Sequence, residues 1–389
     1  MRRSEMLMFL FTVLLVYGSI NAYLLRRGWQ AFSERPALRG ILMATAGILI
    51  LAYPLGRIFE GSGRHGAALP FMLVGSLYMA LMLYLFLFTL GIDLLRLGHA
   101  LVRWFPATIV RHPGKAGEIA GFFVLGAALL IVAGGAVNAA RPTARTLDIT
   151  VDKTAAGLES LNIVLASDIH LGLINRCGRL SRLVEIINGL NPDILVLPGD
   201  IVDESVPEDQ EERMIDILRT VRAPLGIYAV LGNHEYYSGL EKSLDYLERA
   251  GVIVLQDEAV VVGGAFALIG RKDPTAVRMG DRRLPIGEIL ETAGISTDLP
   301  LILLDHQPFR LEEAEEAGID LQLSGHTHAG QFFPLSLLNR RIYEQYWGYH
   351  RRGKTQYYIS SGAGTWGPPV RTGSRSEVVA IRVTFKSPE

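Results

Sequence analysis

The stretch that decides the fold reads Asn162-Ile163-Val164-Leu165-Ala166-Ser167-Asp168-Ile169-His170. It starts with a mostly aliphatic run, Asn162–Ala166, which is typical of a buried strand. It ends in a turn that carries a carboxylate and an imidazole. Six more aliphatic runs bounded by turn residues predict strands at Asp193–Leu197, Ile227–Leu231, Pro300–Leu304, Leu321–Leu323, Tyr357–Ser360 and Val378–Thr384.

Helical patterns separate several of these strands, at Arg179–Leu190, Glu208–Val221 and Gly239–Ala250. Alternating strands and helices are typical of sheets covered by helices. The C-terminal part of the chain, residues 142–389, is therefore predicted to be a layered α/β domain.

Five of the predicted strands run directly into polar residues. These are Asp168 and His170, then Asp200 and Asp203, then Asn233, His234 and Glu235, then Asp305 and His306, and finally His326 and His328. Groups just beyond the carboxyl ends of strands converge on one crevice in layered α/β folds. A single histidine in such a turn is usually a hydrogen-bonded loop residue, so the prediction of a site depends on the whole set.

The residue types indicate what this site binds. Seven residues are candidate ligands of a metal: Asp168, His170, Asp200, Asn233, His306, His326 and His328. Nitrogen and oxygen ligands without thiolate suit Mn, Fe, Zn or Mg. Seven ligands are too many for one ion that must also admit water and substrate. They suit two divalent ions that share a bridging carboxylate, the arrangement used for in-line attack on phosphorus.

Composition divides the chain in two. Apolar residues make up 49% of it, charged residues only 20%, and the mean hydropathy is +0.27. Residues 1–150 carry 14 Lys and Arg against 6 Asp and Glu, whereas residues 151–389 carry 24 against 33. A basic, apolar part therefore precedes an acidic globular part. The single cysteine, Cys177, excludes an intrachain disulfide framework and a Cys-rich zinc module.

The N-terminal part, residues 1–141, is predicted to be a four-helix transmembrane anchor. It contains four uncharged stretches, Met6–Leu25, Gly40–Gly56, Gly66–Ile92 and Ile119–Ala140. About 20 helical residues cross the hydrocarbon of a bilayer. The first stretch alone could instead be a signal peptide. No ionisable residue lies inside any stretch, which favours an anchor over the alternative of a transporter or channel with a regulatory domain.

Loop charges only weakly indicate the side of the membrane on which the C-terminal domain lies. The two loops opposite the domain carry eight Lys and Arg, and the domain's own side carries seven. Since positive charges favour the cytoplasm, this count slightly favours an extracytoplasmic domain of a multi-pass protein in the cell (inner) membrane.

The polar turns resemble a known family. Asp168-x-His170, Gly199-Asp200-x-x-Asp203, Gly232-Asn233-His234-Glu235, a lone His306 and Gly325-His326-x-His328 follow the order of the calcineurin-like metallophosphoesterases. The resemblance covers about residues 160–385. The segments 325–331 and 364–368 resemble the branch of transmembrane proteins with a metallophosphoesterase domain.

The resemblance implies a four-layer sandwich, with two sheets inside and helices outside, and a role for each polar residue. One ion would be held by Asp168, His170, Asp200 and His328, and the other by Asp200, Asn233, His306 and His326. His234 would contact the phosphate or protonate the leaving group, and Asp203 would orient it. Asp203 could instead cap the following helix, and Glu235 is expected to be structural or outside the ligand set.

Two further segments are hypotheses. Residues 332–352 combine aromatic side chains with Arg340, Arg341, Arg351 and Arg352, which is typical either of core packing or of an edge that meets anionic lipid headgroups. Arg371 could contact the substrate phosphate.

The expected function is that of a membrane-bound, metal-dependent phosphoesterase. It would hydrolyse phosphodiester, phosphomonoester or pyrophosphate bonds of a lipid-linked substrate, such as UDP-2,3-diacylglucosamine in lipid A synthesis. That substrate would need a cytoplasmic active site, against the charge count. The alternative is a metal-stabilised binding domain that regulates the membrane helices. Nucleic acid is not an expected partner, because residues 151–389 carry a net charge of −9.

Overall fold

A computed structural model describes residues 3–203 and 206–386. The chain forms two compact units. The first comprises Met1–Val137 with the short loop Gly367–Val370, and the second comprises Asn138–Trp366 with Arg371–Glu389.

The first unit is helical. Its helices are α1 (Arg3–Ala31), α2 (Pro36–Gly61), α3 (His65–Val102), the short α4 (Ala107–Arg111) and α5 (Pro113–Ala139). Within the described residues, three helices are long and apolar enough to cross a membrane, namely α2, α3 and α5. They coincide with three of the four predicted spans, of which Ile119–Ala140 extends one residue beyond α5. The fourth predicted span lies in α1 and stays a prediction.

Close backbone approach and partly buried hydrogen bonds hold these helices together. A Cβ atom on Gly75 of α3 would lie 2.3 Å from the backbone nitrogen of Tyr53 in α2, so only glycine permits this approach. The Tyr17 hydroxyl donates a hydrogen bond to the carbonyl of Ile50 at 2.9 Å. Small residues and interhelical hydrogen bonds of this kind stabilise helix packing where lipid weakens the hydrophobic contribution.

The second unit contains two six-stranded sheets. The first sheet has the order β1-β12-β2-β3-β4-β5 and the second β10-β11-β9-β8-β7-β6. The strands are β1 (Thr143–Val151), β2 (Ser160–Leu165), β3 (Ile194–Pro198), β4 (Ile227–Val230), β5 (Ile253–Val254), β6 (Glu258–Val262), β7 (Phe266–Gly270), β8 (Leu301–Leu304), β9 (Leu321–Ser324), β10 (Gly348–Arg352), β11 (Thr355–Ile359) and β12 (Glu377–Phe385).

The helices of this unit are α6 (Cys177–Gly189), α7 (Glu208–Leu218), α8 (Asn233–Ser238), α9 (Leu240–Arg249), α10 (Thr275–Arg278), α11 (Ile286–Thr292), α12 (Glu312–Glu316) and α13 (Ser336–Ile342). The predicted strands and helices match their observed counterparts to within a few residues at each end.

Side-chain alternation along the strands produces the layers. On β3, Leu195 and Leu197 pack with the apolar side chains of α6, α7 and α9, whereas Ile194 and Val196 pack between the sheets. On β8, Ile302 and Leu304 likewise pack between the sheets, whereas Leu301 and Leu303 pack against α11. Because successive strand residues point to opposite faces, the central strands of both sheets are buried on both sides. The predicted two-sheet α/β sandwich is confirmed.

This topology brings the polar turns to one edge. Strands β2, β3 and β4 are parallel neighbours in the first sheet, and β8 and β9 are parallel neighbours in the second. Each of these five strands ends at one of the polar turns.

Candidate metal centre

The turns that carry the predicted ligands have unusual backbone conformations. Asp168, His170, Asp200, His326 and His328 all have positive φ, between 50° and 72°. Residues other than glycine rarely adopt this left-handed region, and such strain concentrates at functional sites. The surrounding structure therefore forces these side chains into positions that relaxed turns would not give them.

Glycine is needed where two of these turns meet. Gly199 precedes Asp200 with φ of +85°, and a Cβ atom on it would lie 2.4 Å from His306 Nδ1. At Gly232 a Cβ atom would lie 2.2 Å from Asp200 Oδ1. The two glycines thus let the turns after β3, β4 and β8 approach one another closely enough for their side chains to contribute to one site.

Asp168, His170 and His328 form the first candidate group. One ligand atom from each lies within 4.8 Å of the others. The Nε2 atoms of the two histidines are 3.1 Å apart, and His328 Nε2 lies 3.6 Å from Asp168 Oδ1. All three residues are buried. Two imidazole nitrogens and a carboxylate oxygen therefore converge on one place.

Asp200, His306 and His326 form the second candidate group, again with ligand atoms within 4.8 Å of one another. Asp200 Oδ2 lies 3.2 Å from His306 Nε2 in this group. The same oxygen lies 3.9 Å from His170 Nε2 in the first group. A single carboxylate oxygen thus faces both groups, which is the position of a bridging ligand.

The bonding of these residues fits divalent cations. His306 donates from Nδ1 to the carbonyl of Pro198 at 2.8 Å, which turns its Nε2 towards the site. Asp168 Oδ2 and Asn233 Oδ1 are buried and have no hydrogen-bond partner in the described structure, and His306 Nε2 faces the Asp200 carboxylate. Unpaired buried polar atoms are costly and unusual. A cation would satisfy all three, so Asn233 also fits the ligand set.

The protonation states of two of the histidines favour metal binding as well. Burial lowers the pKa of His170 to about 4 and that of His326 to about 3, so both stay neutral near pH 7. Neutral imidazole is the form that binds metals. Burial also acts to lower the pKa of His306, but the adjacent carboxylate of Asp200 outweighs burial and holds that pKa well above its usual value. Asp200 thus attracts positive charge at the place where a cation would bind.

His234 and Asp203 lie beside the first group. His234 Nδ1 is 2.9 Å from Asp203 Oδ1, and the His234 ring contacts that of His170 at a centroid distance of 4.6 Å. Burial lowers the pKa of His234, but the hydrogen bond to Asp203 and the charge of Asp200 outweigh this and raise it to about 9. The Nδ1–H therefore points to Asp203, and Nε2–H is available for donation. This is the geometry expected of an oriented proton donor.

Glu235 has a structural role that its sequence position did not specify. Its buried carboxylate accepts hydrogen bonds from four backbone N–H groups, those of Asp200, Ile201, Val202 and Gly232, at 2.6–3.1 Å. It joins the turn that carries Asp200 to the turn that carries Asn233. With both oxygens bonded to backbone N–H groups, Glu235 lies outside the candidate ligand set, as expected from the sequence.

Arg371 lies elsewhere than expected for a substrate contact. Its side chain is fully buried, and its guanidinium donates to the carbonyls of Gly364 and His328 and to Ser374 Oγ. NH2 also lies 3.2 Å from His328 Nδ1. With its donors directed at chain groups, Arg371 positions the His328 turn, and this placement disfavours the predicted contact with the substrate phosphate.

The comparison with known proteins agrees with these motifs. The family model of the calcineurin-like phosphoesterases matches residues 161–330. An uncharacterized metallophosphoesterase of Aquifex aeolicus is 38% identical over 240 residues, which cover 61% of this chain and 90% of that protein. A transmembrane protein with metallophosphoesterase domain from Danio rerio is 33% identical over 319 residues, covering 79% of this chain and 71% of that one.

An uncharacterized metallophosphoesterase of Helicobacter pylori is 36% identical over 250 residues, and the match covers 64% of this chain. The chain spans 65% of the length of that relative. The resemblance predicted from the five motifs is confirmed, and the chain belongs to the calcineurin-like metallophosphoesterase family.

Proposed function

We propose that the protein is a membrane-bound phosphoesterase that uses two divalent metal ions. The observation that carries this proposal is the position of Asp200 Oδ2, which faces both His306 and His170. The ligand atoms of each group suit Mn, Fe, Zn or Mg. When bound, two such ions supply an acidified water and neutralise the charge on the phosphate oxygens.

The residues of the chain would perform the remaining steps. His234 Nε2 would donate a proton to the leaving oxygen as the bond to phosphorus breaks. Asp203 would hold the ring in the required tautomer through Nδ1 and stabilise its positive charge. Glu235 would keep the Asp200 and Asn233 turns together while charge at the site changes.

An exposed apolar edge next to the site supports a lipid-linked substrate. Helix α13 exposes Leu337, Leu338 and Ile342, each by at least half of its surface. This segment is bonded to the His326–His328 turn, because Asn339 Nδ2 donates to the Thr327 carbonyl at 3.0 Å. Isolated exposed apolar residues are common, but a group of them beside a site indicates an apolar partner. We propose that the edge contacts acyl chains.

The arginines of the same region contribute less than their sequence suggested. Arg352 forms ion pairs with Glu315 and Glu344 at 2.6 and 3.0 Å, so its charge is already neutralised. Arg340 and Arg341 are exposed and fit a surface that meets anionic headgroups. We retain UDP-2,3-diacylglucosamine as one candidate substrate among lipid-linked phosphodiesters and pyrophosphates.

The helical unit supports a location in a membrane. Three helices with the length and apolar character of membrane spans, and similarity to a protein named for its transmembrane character, support a membrane protein. We propose a multi-pass protein of the inner membrane, with four spans. The loop charges slightly favour an extracytoplasmic domain, whereas UDP-2,3-diacylglucosamine as substrate would require a cytoplasmic one. A substrate in or near the bilayer fits such a location.

Turnover tests the reaction class. The full-length protein in detergent with Mn²⁺ is expected to hydrolyse bis(4-nitrophenyl) phosphate. His234→Ala should lower kcat about 10²–10⁴-fold, the usual contribution of a positioned proton donor, and leave metal content unchanged. His350→Ala is the matched control, because His350 is the one histidine of the second unit that is neither a candidate metal ligand nor the proposed proton donor. If the protein binds metal but shows no turnover, and His234→Ala changes neither result, the alternative of a binding domain would be supported instead.

The exposed apolar edge on α13 has a separate test. Leu338→Glu should lower kcat/KM about 4–20-fold on UDP-2,3-diacylglucosamine, as expected from losing burial of the exposed half of one leucine side chain. Its activity on bis(4-nitrophenyl) phosphate should not change. Val277→Glu, at an equally exposed position on α10, is the control. An equal loss on both substrates would show that α13 serves only the structure of the site.

A further inference from the structure

A cavity of about 350 Å³ lies among helices α1, α2, α3 and α5 of the helical unit. Packed protein interiors rarely contain voids much larger than a water molecule, whereas sites for small ligands typically start at about 300 Å³. Most of its lining is aliphatic, from residues such as Leu24, Leu49 and Leu85. The helices therefore leave room for an apolar group of ligand size.

One end of the cavity is charged. Its charged lining residues are Arg27, Asp93 and Arg96. Asp93 Oδ2 accepts hydrogen bonds from the Tyr23 hydroxyl at 2.6 Å and from Arg27 Nε at 2.8 Å. Arg27 NH1 donates to Gln30 at 2.9 Å, so Arg27 is fully engaged.

Arg96 is different. Its contact within the described structure is with Asp93 Oδ1 at 3.4 Å, and its side chain is 47% exposed. Two guanidinium groups and one carboxylate give the charged end a net charge of +1. An anion beside Arg96 would complete this cluster.

The position of the charges relates the cavity to the bilayer. The uncharged stretches of the sequence end at Leu25 and Ile92, so the charged end lies where each helix leaves the hydrocarbon. On α3 the lining continues from Arg96 back to Tyr78, about 27 Å along the helix at 1.5 Å per residue. There Tyr78 donates a hydrogen bond to Asn21, so these polar groups are mutually satisfied. The cavity is thus polar at headgroup level and apolar deeper in.

We propose that this cavity binds one anionic phospholipid, with an acyl chain along the apolar wall and the phosphate beside Arg96. The net charge of +1 favours an anionic lipid over a zwitterionic one, which would bring its own cation next to two arginines. Free phosphate would leave the apolar wall uncovered. The site is distinct from the metal centre, and its occupancy can be measured without turnover.

Lipid retention tests the headgroup contact. The full-length protein would be mixed in detergent with equal amounts of palmitoyl-oleoyl phosphatidylglycerol and phosphatidylcholine, and examined by native mass spectrometry. One phosphatidylglycerol per chain should persist, in preference to phosphatidylcholine. Arg96→Gln should lower its retention at least about fivefold, as expected for losing a charge-assisted contact. Arg111→Gln, an exposed arginine that does not line the cavity, should have no effect.

A second pair of variants tests the apolar wall independently. Ala46 lines the cavity, whereas Ala44, two residues away on α2, is exposed and does not. Ala46→Phe should reduce lipid retention by filling the space, and Ala44→Phe should not. The proposal is overturned if the wild-type protein retains no phospholipid, if it retains both lipids equally, or if neither Arg96→Gln nor Ala46→Phe differs from its control. Retention of inorganic phosphate alone would also contradict it.

Discussion

Replacing Glu235 with glutamine tests whether this residue supports the metal centre. The carboxylate accepts four backbone hydrogen bonds, two at Oε1 from Ile201 and Val202 and two at Oε2 from Asp200 and Gly232. An amide of the same shape keeps one oxygen, and its NH₂ group would face two N–H donors. Two hydrogen bonds to a charged group would be lost, each contributing about 1.5–3 kcal/mol.

The expected loss of stability is therefore about 3–6 kcal/mol. For a domain of this size, about 2–4 °C of Tm corresponds to each kcal/mol, so Tm should fall by roughly 6–24 °C. The assay is thermal unfolding of the full-length protein by near-ultraviolet circular dichroism at pH 8 and a fixed scan rate. Burial raises the pKa of Glu235 to about 7, so the wild-type carboxylate is ionised at that pH.

Glu241→Gln is the matched control, since Glu241 is exposed on α9, and its Tm should stay within about 2 °C of wild type, as for most surface substitutions. A Glu235→Gln protein that unfolds at the wild-type temperature would refute the reasoning. It would mean that the four N–H groups find other partners at little cost.

Two further substitutions test how the ligand turns are positioned. Arg371→Lys should weaken metal binding mainly at the group that contains His328, because a single ammonium nitrogen cannot reach the carbonyls and Ser374 that the guanidinium spans. Metal titration by calorimetry should show one weakened site, and two unchanged sites would contradict this role of Arg371. Gly199→Ala should lower the free energy of unfolding by about 1–3 kcal/mol, since the residue has positive φ and the new methyl group would clash with His306. Gly178→Ala in α6, where a Cβ atom meets nothing within 4 Å, should instead be neutral or stabilising by up to about 1 kcal/mol, and equal Tm changes in the two variants would refute the steric argument.

The sequence predicted the ligand set because its members follow strands whose aliphatic runs are buried on both faces. Such runs are easy to identify, and parallel strands end at the same edge. Strand β1 was not predicted because it is largely exposed and carries Arg145 and Asp148 on its open positions. The β6–β7 hairpin was also not predicted, although the sequence indicates one. A three-residue loop that starts with Gly263 and Gly264 joins two apolar runs, which is typical of a hairpin.

The supporting residues of the site could not be predicted in the same way. Arg371 lies 43 residues from His328 in the chain, and no local pattern indicates that they meet. The four backbone donors around Glu235 likewise come from two separate turns. A role that depends on such tertiary contacts becomes visible only in three dimensions, whereas the candidate ligands can be recognised from the residue types of the turns themselves.

The central claim is that two metal ions share Asp200. The most direct measurement is the metal content of the full-length protein by inductively coupled plasma mass spectrometry, compared with that of Asp200→Asn and His328→Ala. The account predicts two ions per chain in the wild type, one in His328→Ala, and loss of both from Asp200→Asn. One ion in the wild type, or an Asp200→Asn protein that keeps both ions, would contradict it.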